Sequence, residues 1–204
     1  MRAIRFGKLA IAAGLAITRQ AAAQIPVSLD LGTGPSFQFG QLKTNTATPG
    51  FNGLIGLDYK APLFPLGVRL EGLFDEYDHT RAYLGARQIW AVSGNAVWSF
   101  PSLGVLPGLT PYALGGGGYY HTSENLRVKA TVGPSETVPT LTGAHFGLDG
   151  GAGLRYRLFG VGPGIGIGIF GEARYLYYFG PHANAAMLPL VFGVNFPTAV
   201  TPSE

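Results

Sequence analysis

Apolar and polar residues alternate along most of the chain with a period of two, which is the pattern of β-strands that have one apolar and one polar face. In the clearest stretch, Leu148, Leu154 and Tyr156 lie on one face, and Asp149 and Arg155 lie on the other. Eight such segments follow one another, separated by turn residues. They span residues 25–31, 51–59, 68–74, 87–100, 111–121, 145–158, 165–179 and 188–196. The pattern predicts an all-β domain of eight strands.

The connections between these segments alternate in character. Pro- and Gly-rich apolar stretches connect strands at residues 59–67, 100–110 and 158–165, whereas more polar loops occupy residues 40–50, 77–87, 122–142 and 180–187. Polar loops at one end and tighter turns at the other predict an antiparallel up-and-down meander, with both termini at the end of the tight turns.

Residues 1–23 have the features of a secretory signal peptide. Arg2, Arg5 and Lys8 form a basic start, residues 9–17 are apolar, and three alanines precede Gln24. The apolar run is too short for a membrane-spanning helix, which needs about 20 residues. We therefore expect export across the inner membrane and a mature chain that begins near residue 24.

Removal of the signal peptide changes the charge of the protein. Of the 14 Lys and Arg residues, four lie in residues 1–23, so 10 remain against 11 Asp and Glu, a formal charge of −1. The basic balance of the full chain is therefore no indication of nucleic-acid binding. The absence of cysteine excludes disulfides, thiolate metal sites, thiol nucleophiles and an N-terminal lipidated cysteine.

Three features favour a membrane barrel over a soluble β-sandwich. The apolar faces carry almost no charge, aromatic residues gather near the segment ends, and charged residues are only 12% of the chain, against about 25% in soluble domains. A closed barrel also leaves no strand edge exposed to lipid. The expected arrangement has the apolar face outside and the polar face in the lumen.

Four segments carry a resemblance to a known family: residues 112–120 (YALGGGGYY), 146–158 (FGLDGGAGLRYRL), 170–180 (FGEARYLYYFG) and 188–196 (LPLVFGVNF). Over about residues 25–196 the chain resembles the small outer-membrane β-barrel family that includes the OmpA transmembrane domain and OmpX. The resemblance implies an eight-stranded transmembrane barrel in the outer membrane of a Gram-negative-type cell. It also implies contact with outer-membrane lipid and lipopolysaccharide.

The resemblance further implies recognition by the barrel-assembly machinery. The signal for this is a final strand of alternating apolar residues that ends in Phe. The matching positions are Leu190, Phe192, Val194 and Phe196. In the family this strand usually ends the chain, whereas here residues 197–204 follow and are expected to form a short disordered tail.

Charged residues on the polar faces are the main candidate site. We expect these side chains to pair across the lumen, because unpaired buried charges are costly. They are Asp30, Asp58, Arg69, Glu71, Asp149, Arg155, Arg157, Glu172 and Arg174. One interpretation is a structural plug, and the other is a narrow ion path helped by inward-facing Gly115, Gly117, Gly147, Gly151 and Gly153. The plug is favoured because eight strands leave an interior just wide enough for side chains. Glu71 and Glu172 could also form an acid–base pair, but nothing in the sequence indicates a substrate cleft.

The His-x-Ser pair of His121 and Ser123, with Glu124 adjacent, matches the spacing in outer-membrane lipid A deacylases. Strand parity places His121 in the lumen, on the wrong side for lipid, so a polar loop start is the favoured interpretation. Residues 166–171 satisfy G-x-G-x-x-G, but a strand rather than a helix follows, which excludes a dinucleotide site.

No metal or cofactor is expected. Asp75, Glu76, Asp78 and His79 are interpreted as a solvated loop rim, and His145 and His182 show no metal-ligand spacing. The 21-residue loop 122–142, with Arg127, Lys129 and Glu136, is the expected surface for an extracellular partner.

The expected function is non-enzymatic: a structural or envelope role, or surface interaction through the loops. Two alternatives remain open. The first is a lipid-modifying barrel enzyme, which requires His121 and Ser123 on the lipid side. The second is a secreted soluble barrel that binds a small apolar ligand, which requires the apolar face to be the interior.

Overall fold

A computed structural model of the chain describes residues 27–39, 49–60, 65–78, 84–101, 107–126, 143–160, 166–179 and 184–197. They form eight strands and no helix. The strands are β1 (Val27–Phe39), β2 (Gly50–Lys60), β3 (Leu66–Tyr77), β4 (Leu84–Ser99), β5 (Leu109–Leu126), β6 (Gly143–Gly160), β7 (Gly166–Tyr178) and β8 (Ala185–Pro197).

Each strand pairs antiparallel with the next, and β1 pairs with β8, which closes the sheet into a barrel. The prediction of an eight-stranded antiparallel up-and-down barrel is confirmed. Ser28 of β1 lies opposite Pro197 of β8, so the first and last strands begin and end at the same rim of the barrel. In the described residues, no helix is long and apolar enough to cross a membrane.

The two faces of the barrel differ sharply in chemistry. Large apolar side chains are exposed on the outside, among them Trp90, Val92, Tyr119, Phe146 and Phe192. The buried inward positions include most of the charged residues expected in the lumen. An apolar outside and a polar inside is the arrangement of a membrane barrel. The alternative of a soluble barrel with an apolar interior does not fit it.

Strand β5 corrects one sequence prediction. Gly115, Gly117 and His121 were expected in the lumen, but they share the outward face with the exposed Tyr119. Tyr112, Leu114 and Tyr120 are the buried, inward-facing residues instead. The phenol hydroxyls of Tyr112 and Tyr120 explain this orientation, because each finds a carboxylate inside the lumen.

Several sequence predictions lie outside the described residues. These are the signal peptide at 1–23, residues 198–204 of the expected tail, and the residues His79, Arg127, Lys129, Glu136 and His182.

Candidate functional site

Arg69 is the centre of a buried cluster of charges in the lumen. Its Nε donates to Asp58 Oδ1 at 2.6 Å, its Nη1 donates to Glu172 Oε2 at 2.8 Å, and its Nη2 donates to Asp30 Oδ2 at 2.9 Å. The Arg69 side chain has no exposed surface. The planar guanidinium presents several donors in fixed directions, so one side chain can bind three carboxylates at once. Arg69 on β3 thereby links β1, β2 and β7 across the barrel.

A second arginine, Arg155 on β6, shares two of these carboxylates. Its Nη2 donates to Asp30 Oδ2 and to Asp58 Oδ2, both at 2.7 Å. Both arginines also lie over the Tyr112 ring, whose centroid is 5.6 Å from the Cζ of Arg69 and 5.3 Å from that of Arg155. These are cation–π distances, so one aromatic ring interacts with both guanidiniums.

A third arginine, Arg174 on β7, binds the remaining carboxylates. Its Nη2 pairs with Glu71 Oε1 and with Asp149 Oδ2, the latter at 2.7 Å, and its Nε lies 3.5 Å from Glu172 Oε1. Glu172 therefore accepts from Arg69 and approaches Arg174. It joins the two halves of the charge cluster into one network.

Neutral side chains supply further hydrogen-bond donors to the same carboxylates. Each has a hydroxyl or amide group that points into the lumen. They are Ser93 and Asn95 to Glu71 (2.8 and 3.0 Å), Tyr112 to Glu172 (2.7 Å), Tyr120 to Asp149 (3.4 Å) and Asn195 to Asp30. Every one of the eight strands thus contributes at least one side chain to the network.

The network brings together eight of the nine charged residues expected in the lumen. Arg157 is the exception: it is exposed toward the end of β6, and no ion pair joins it to the network in the described part of the chain. The network holds five carboxylates and three guanidiniums, a formal charge of −2. Glu71, Arg174, Arg69 and Glu172 have fully buried side chains. Their burial favours the plug interpretation over a solvated ion path.

Asp75 is a lumen residue that the sequence reading assigned to a solvated rim. It lies on the inward face of β3 and is 1% exposed, so that assignment was wrong. Its neighbour Glu76 faces outward and accepts a hydrogen bond from Gln88 Nε2 at 2.9 Å. Asp78 is exposed, as expected for a rim. The missed signal was strand parity, since Asp75 continues the inward series of Arg69 and Glu71.

A cluster of apolar side chains shares the lumen with the charges. Its members include Leu54, Leu73, Ile89, Leu176 and Met187, each no more than 5% exposed. Ion pairs and apolar packing thus both fill the interior.

The other candidate sites differ in their placement. Glu71 and Glu172 are each bound to arginine, which leaves neither in the position of a free acid or base. His145 faces inward and stacks on Tyr178, with ring centroids 6.0 Å apart. His121 and Ser123 lie on the outward face of β5. In the described residues, no group of three or more His, Asp or Glu side chains is arranged to hold a metal ion.

A closed eight-stranded barrel with an apolar outside and a charged lumen defines the class of small outer-membrane barrels. The structure is similar to Neisserial surface protein A, with a TM-score of 0.56 and 17% identity over 86% of this chain and 98% of that one. It is also similar to a major outer membrane protein from Thermus thermophilus, with a TM-score of 0.50 and 16% identity over 86% and 100% of the two chains.

A third similar structure is the outer membrane enzyme PagL, with a TM-score of 0.44 and 13% identity over 86% of this chain and 99% of that one. No protein-family model and no curated protein sequence matches the chain. Likeness of this degree shows the fold alone.

Proposed function

We propose that this protein is a non-enzymatic outer-membrane barrel with a structural or surface-interaction role that its extracellular loops perform. The observation that carries the proposal is the buried network around Arg69, which occupies the lumen with side chains from all eight strands. A barrel closed in this way offers two working surfaces: its wall, toward lipid, and its loops, toward the outside.

Each surface has an expected partner. The wall contacts outer-membrane lipid and lipopolysaccharide through its exposed apolar residues. On β8, Leu190, Phe192, Val194 and Phe196 all face outward, as an alternating signal for the assembly machinery requires. The longest polar loop, within residues 122–142, carries the extracellular interaction. A structural neighbour, Neisserial surface protein A, is named as a surface protein, which agrees with this role.

The proposal is tested in cells that lack the protein, complemented with the wild type or with a variant whose residues 127–142 are replaced by a short Gly-Ser turn. The measurements are detergent sensitivity and attachment to matrix-coated surfaces. A structural role predicts that both forms restore detergent resistance. A surface role predicts that only the wild type restores attachment. If cells that lack the protein keep normal detergent resistance and attachment but differ in ion conductance or in lipid A composition, the proposal is wrong.

One observation favours a second candidate, a lipid A deacylase-like enzyme. His121 and Ser123 face outward, where a lipid substrate lies, and not into the lumen as their parity in the sequence had indicated. Ester hydrolysis requires the imidazole within hydrogen-bond reach of the serine hydroxyl. In the described residues this pair forms no hydrogen bond, so the enzyme remains the second candidate.

A Ser123→Ala variant separates the two candidates. For a non-enzymatic barrel, mass spectrometry of lipid A shows the same acylation pattern with the wild type, with Ser123→Ala and with an empty vector. Ser99→Ala, at the opposite rim of the barrel, is the matched control. Loss of an acyl chain with the wild type and Ser99→Ala but not with Ser123→Ala would establish the enzyme instead.

A further inference from the structure

The seam between the first and last strands contains an interruption of the backbone ladder. Pairing of β1 with β8 is continuous as far as Thr33–Phe192 and resumes at Ser36–Pro189 in the same register. Between these points, Gly34 and Pro35 of β1 do not pair with Val191 and Leu190 of β8. The wall therefore has a local gap in its hydrogen bonding where the barrel closes.

Two prolines account for the gap and for a second one beside it. Pro35 on β1 has no N–H to donate toward β8. Pro189 on β8 likewise has no N–H to donate toward β7. On the other side of β8, pairing with β7 stops at Ala173–Leu190 and resumes at Leu176–Met187. The middle of β8 is therefore held by fewer backbone bonds on both sides than the rest of the barrel.

A side chain from a third strand bridges the seam. Asn52 on β2 is fully buried, and its Nδ2 donates to the carbonyl of Pro35 at 3.0 Å and to the carbonyl of Leu190 at 3.2 Å. Thr33 Oγ1 donates to the Asn52 carbonyl at 2.7 Å, which fixes this part of β2 against β1. The Asn52 amide thus provides Leu190 with the donor that a residue with an N–H at position 35 would provide.

Gly34 permits this arrangement. It lies opposite Asn52 in the β1–β2 ladder, and a Cβ at position 34 would overlap the Leu190 carbonyl oxygen. Only glycine leaves room for that carbonyl beside the β1 backbone. Two prolines, one glycine and one buried amide are therefore combined at a single point of the wall.

We propose that Asn52 is a latch on the β1–β8 seam, and that the wall opens locally at residues 34–35 and 190–191 when this latch is released. In a membrane, a backbone carbonyl without a donor is strongly unfavourable, so the latch holds the seam closed. Next to the gap, the apolar side chains of Val191 and Phe170 lie on the inner side of the wall beside Gly32. Opening would connect the membrane with this apolar part of the lumen.

Hydrogen–deuterium exchange on the full protein in lipid nanodiscs tests the latch. In Asn52→Ala, amide exchange in residues 32–38 and 187–193 is expected to be about tenfold faster than in the wild type, because one buried hydrogen-bond donor is lost. Residues 89–94 and 117–121 of β4 and β5 are the internal reference and should not change. Equal exchange at the seam in both proteins, or an equal acceleration in the reference strands, would overturn the proposal.

A proline replacement provides the rescue. Pro35→Ala restores an N–H that points at the seam, so the double variant Asn52→Ala/Pro35→Ala should recover protection in residues 187–193. Pro35→Ala alone should exchange more slowly there than the wild type. If Asn52→Ala does not fold, the double variant decides the question: a folded protein with protection of residues 187–193 close to that of the wild type supports the latch, and a double variant that also does not fold, or that exchanges faster there, contradicts it.

Discussion

Replacing Arg69 by Met is expected to lower the free energy of unfolding by about 3–5 kcal/mol, the usual effect of removing one partner from a buried ion pair. The substitution leaves the carboxylates of Asp58, Asp30 and Glu172 without the guanidinium that they share at 2.6–2.9 Å. The measurement is urea unfolding in phospholipid vesicles, followed by the fluorescence of Trp90 and Trp98, which face outward.

Two further variants show whether the effect comes from charge. Lys60→Met removes an exposed cation on β2 and should change the free energy of unfolding by less than about 0.5 kcal/mol. The double variant Arg69→Met/Glu172→Gln should recover part of the loss, because one uncompensated carboxylate is neutralised. An Arg69→Met protein as stable as Lys60→Met would show that the network does not hold the barrel together.

Replacing Gly153 by Ala is expected to destabilise the barrel by about 1–3 kcal/mol through overpacking. A Cβ at this position would lie 2.5 Å from Tyr112 Cζ, 2.6 Å from the Tyr112 hydroxyl and 2.8 Å from the Gly171 carbonyl oxygen. The ring must then move, and its hydrogen bond to Glu172 is lost. The same urea titration in vesicles measures this change.

Gly94→Ala is the matched control for this prediction. Gly94 faces outward on β4, and a Cβ there meets nothing within 4 Å, so the stability should stay within about 0.5 kcal/mol of the wild type. If the two alanine variants lose equal stability, the effect reflects the general replacement of glycine in a strand and not the contact with Tyr112.

Much of this fold can be predicted from short stretches of the sequence. Alternation with a period of two needs only neighbouring residues to be read, so the number of strands and the outward face of strands such as β6 and β7 are predictable. The same alternation placed Asp58, Arg69 and Glu172 in the lumen. Their partners could not be predicted, because strand register decides which carboxylate meets which guanidinium.

For strand β5, the local alternation predicted the wrong face for the lumen. Tyr119 and Tyr120 are adjacent, so either could face the membrane by its apolar ring. The choice depends on a hydroxyl partner in another strand: Tyr112 reaches Glu172, 60 residues away, and Tyr120 reaches Asp149. A hydrogen bond between residues so far apart in the sequence cannot be predicted from the local alternation. The inverted parity also misplaced His121.

The end of β1 was missed for a related reason. The predicted segment stopped at Leu31, where the alternation ends, and the Gly34-Pro35 pair that follows is typical of a turn. The strand continues to Phe39 because it pairs with β2 as far as Ser36 and with β8 as far as Phe39. Pairing with the neighbouring strands thus outweighs the local turn preference of Gly34-Pro35.

The participation of all eight strands in the Arg69 network has a consequence for how the barrel forms. The network joins residues as far apart in the chain as Asp30 and Asn195, so it is complete only when the last strand meets the first. An open sheet in the membrane would expose arginines and carboxylates to hydrocarbon, which is strongly unfavourable. Partly assembled barrels should therefore be poorly populated, and assembly should be slow, cooperative and completed by closure, as expected for high contact order.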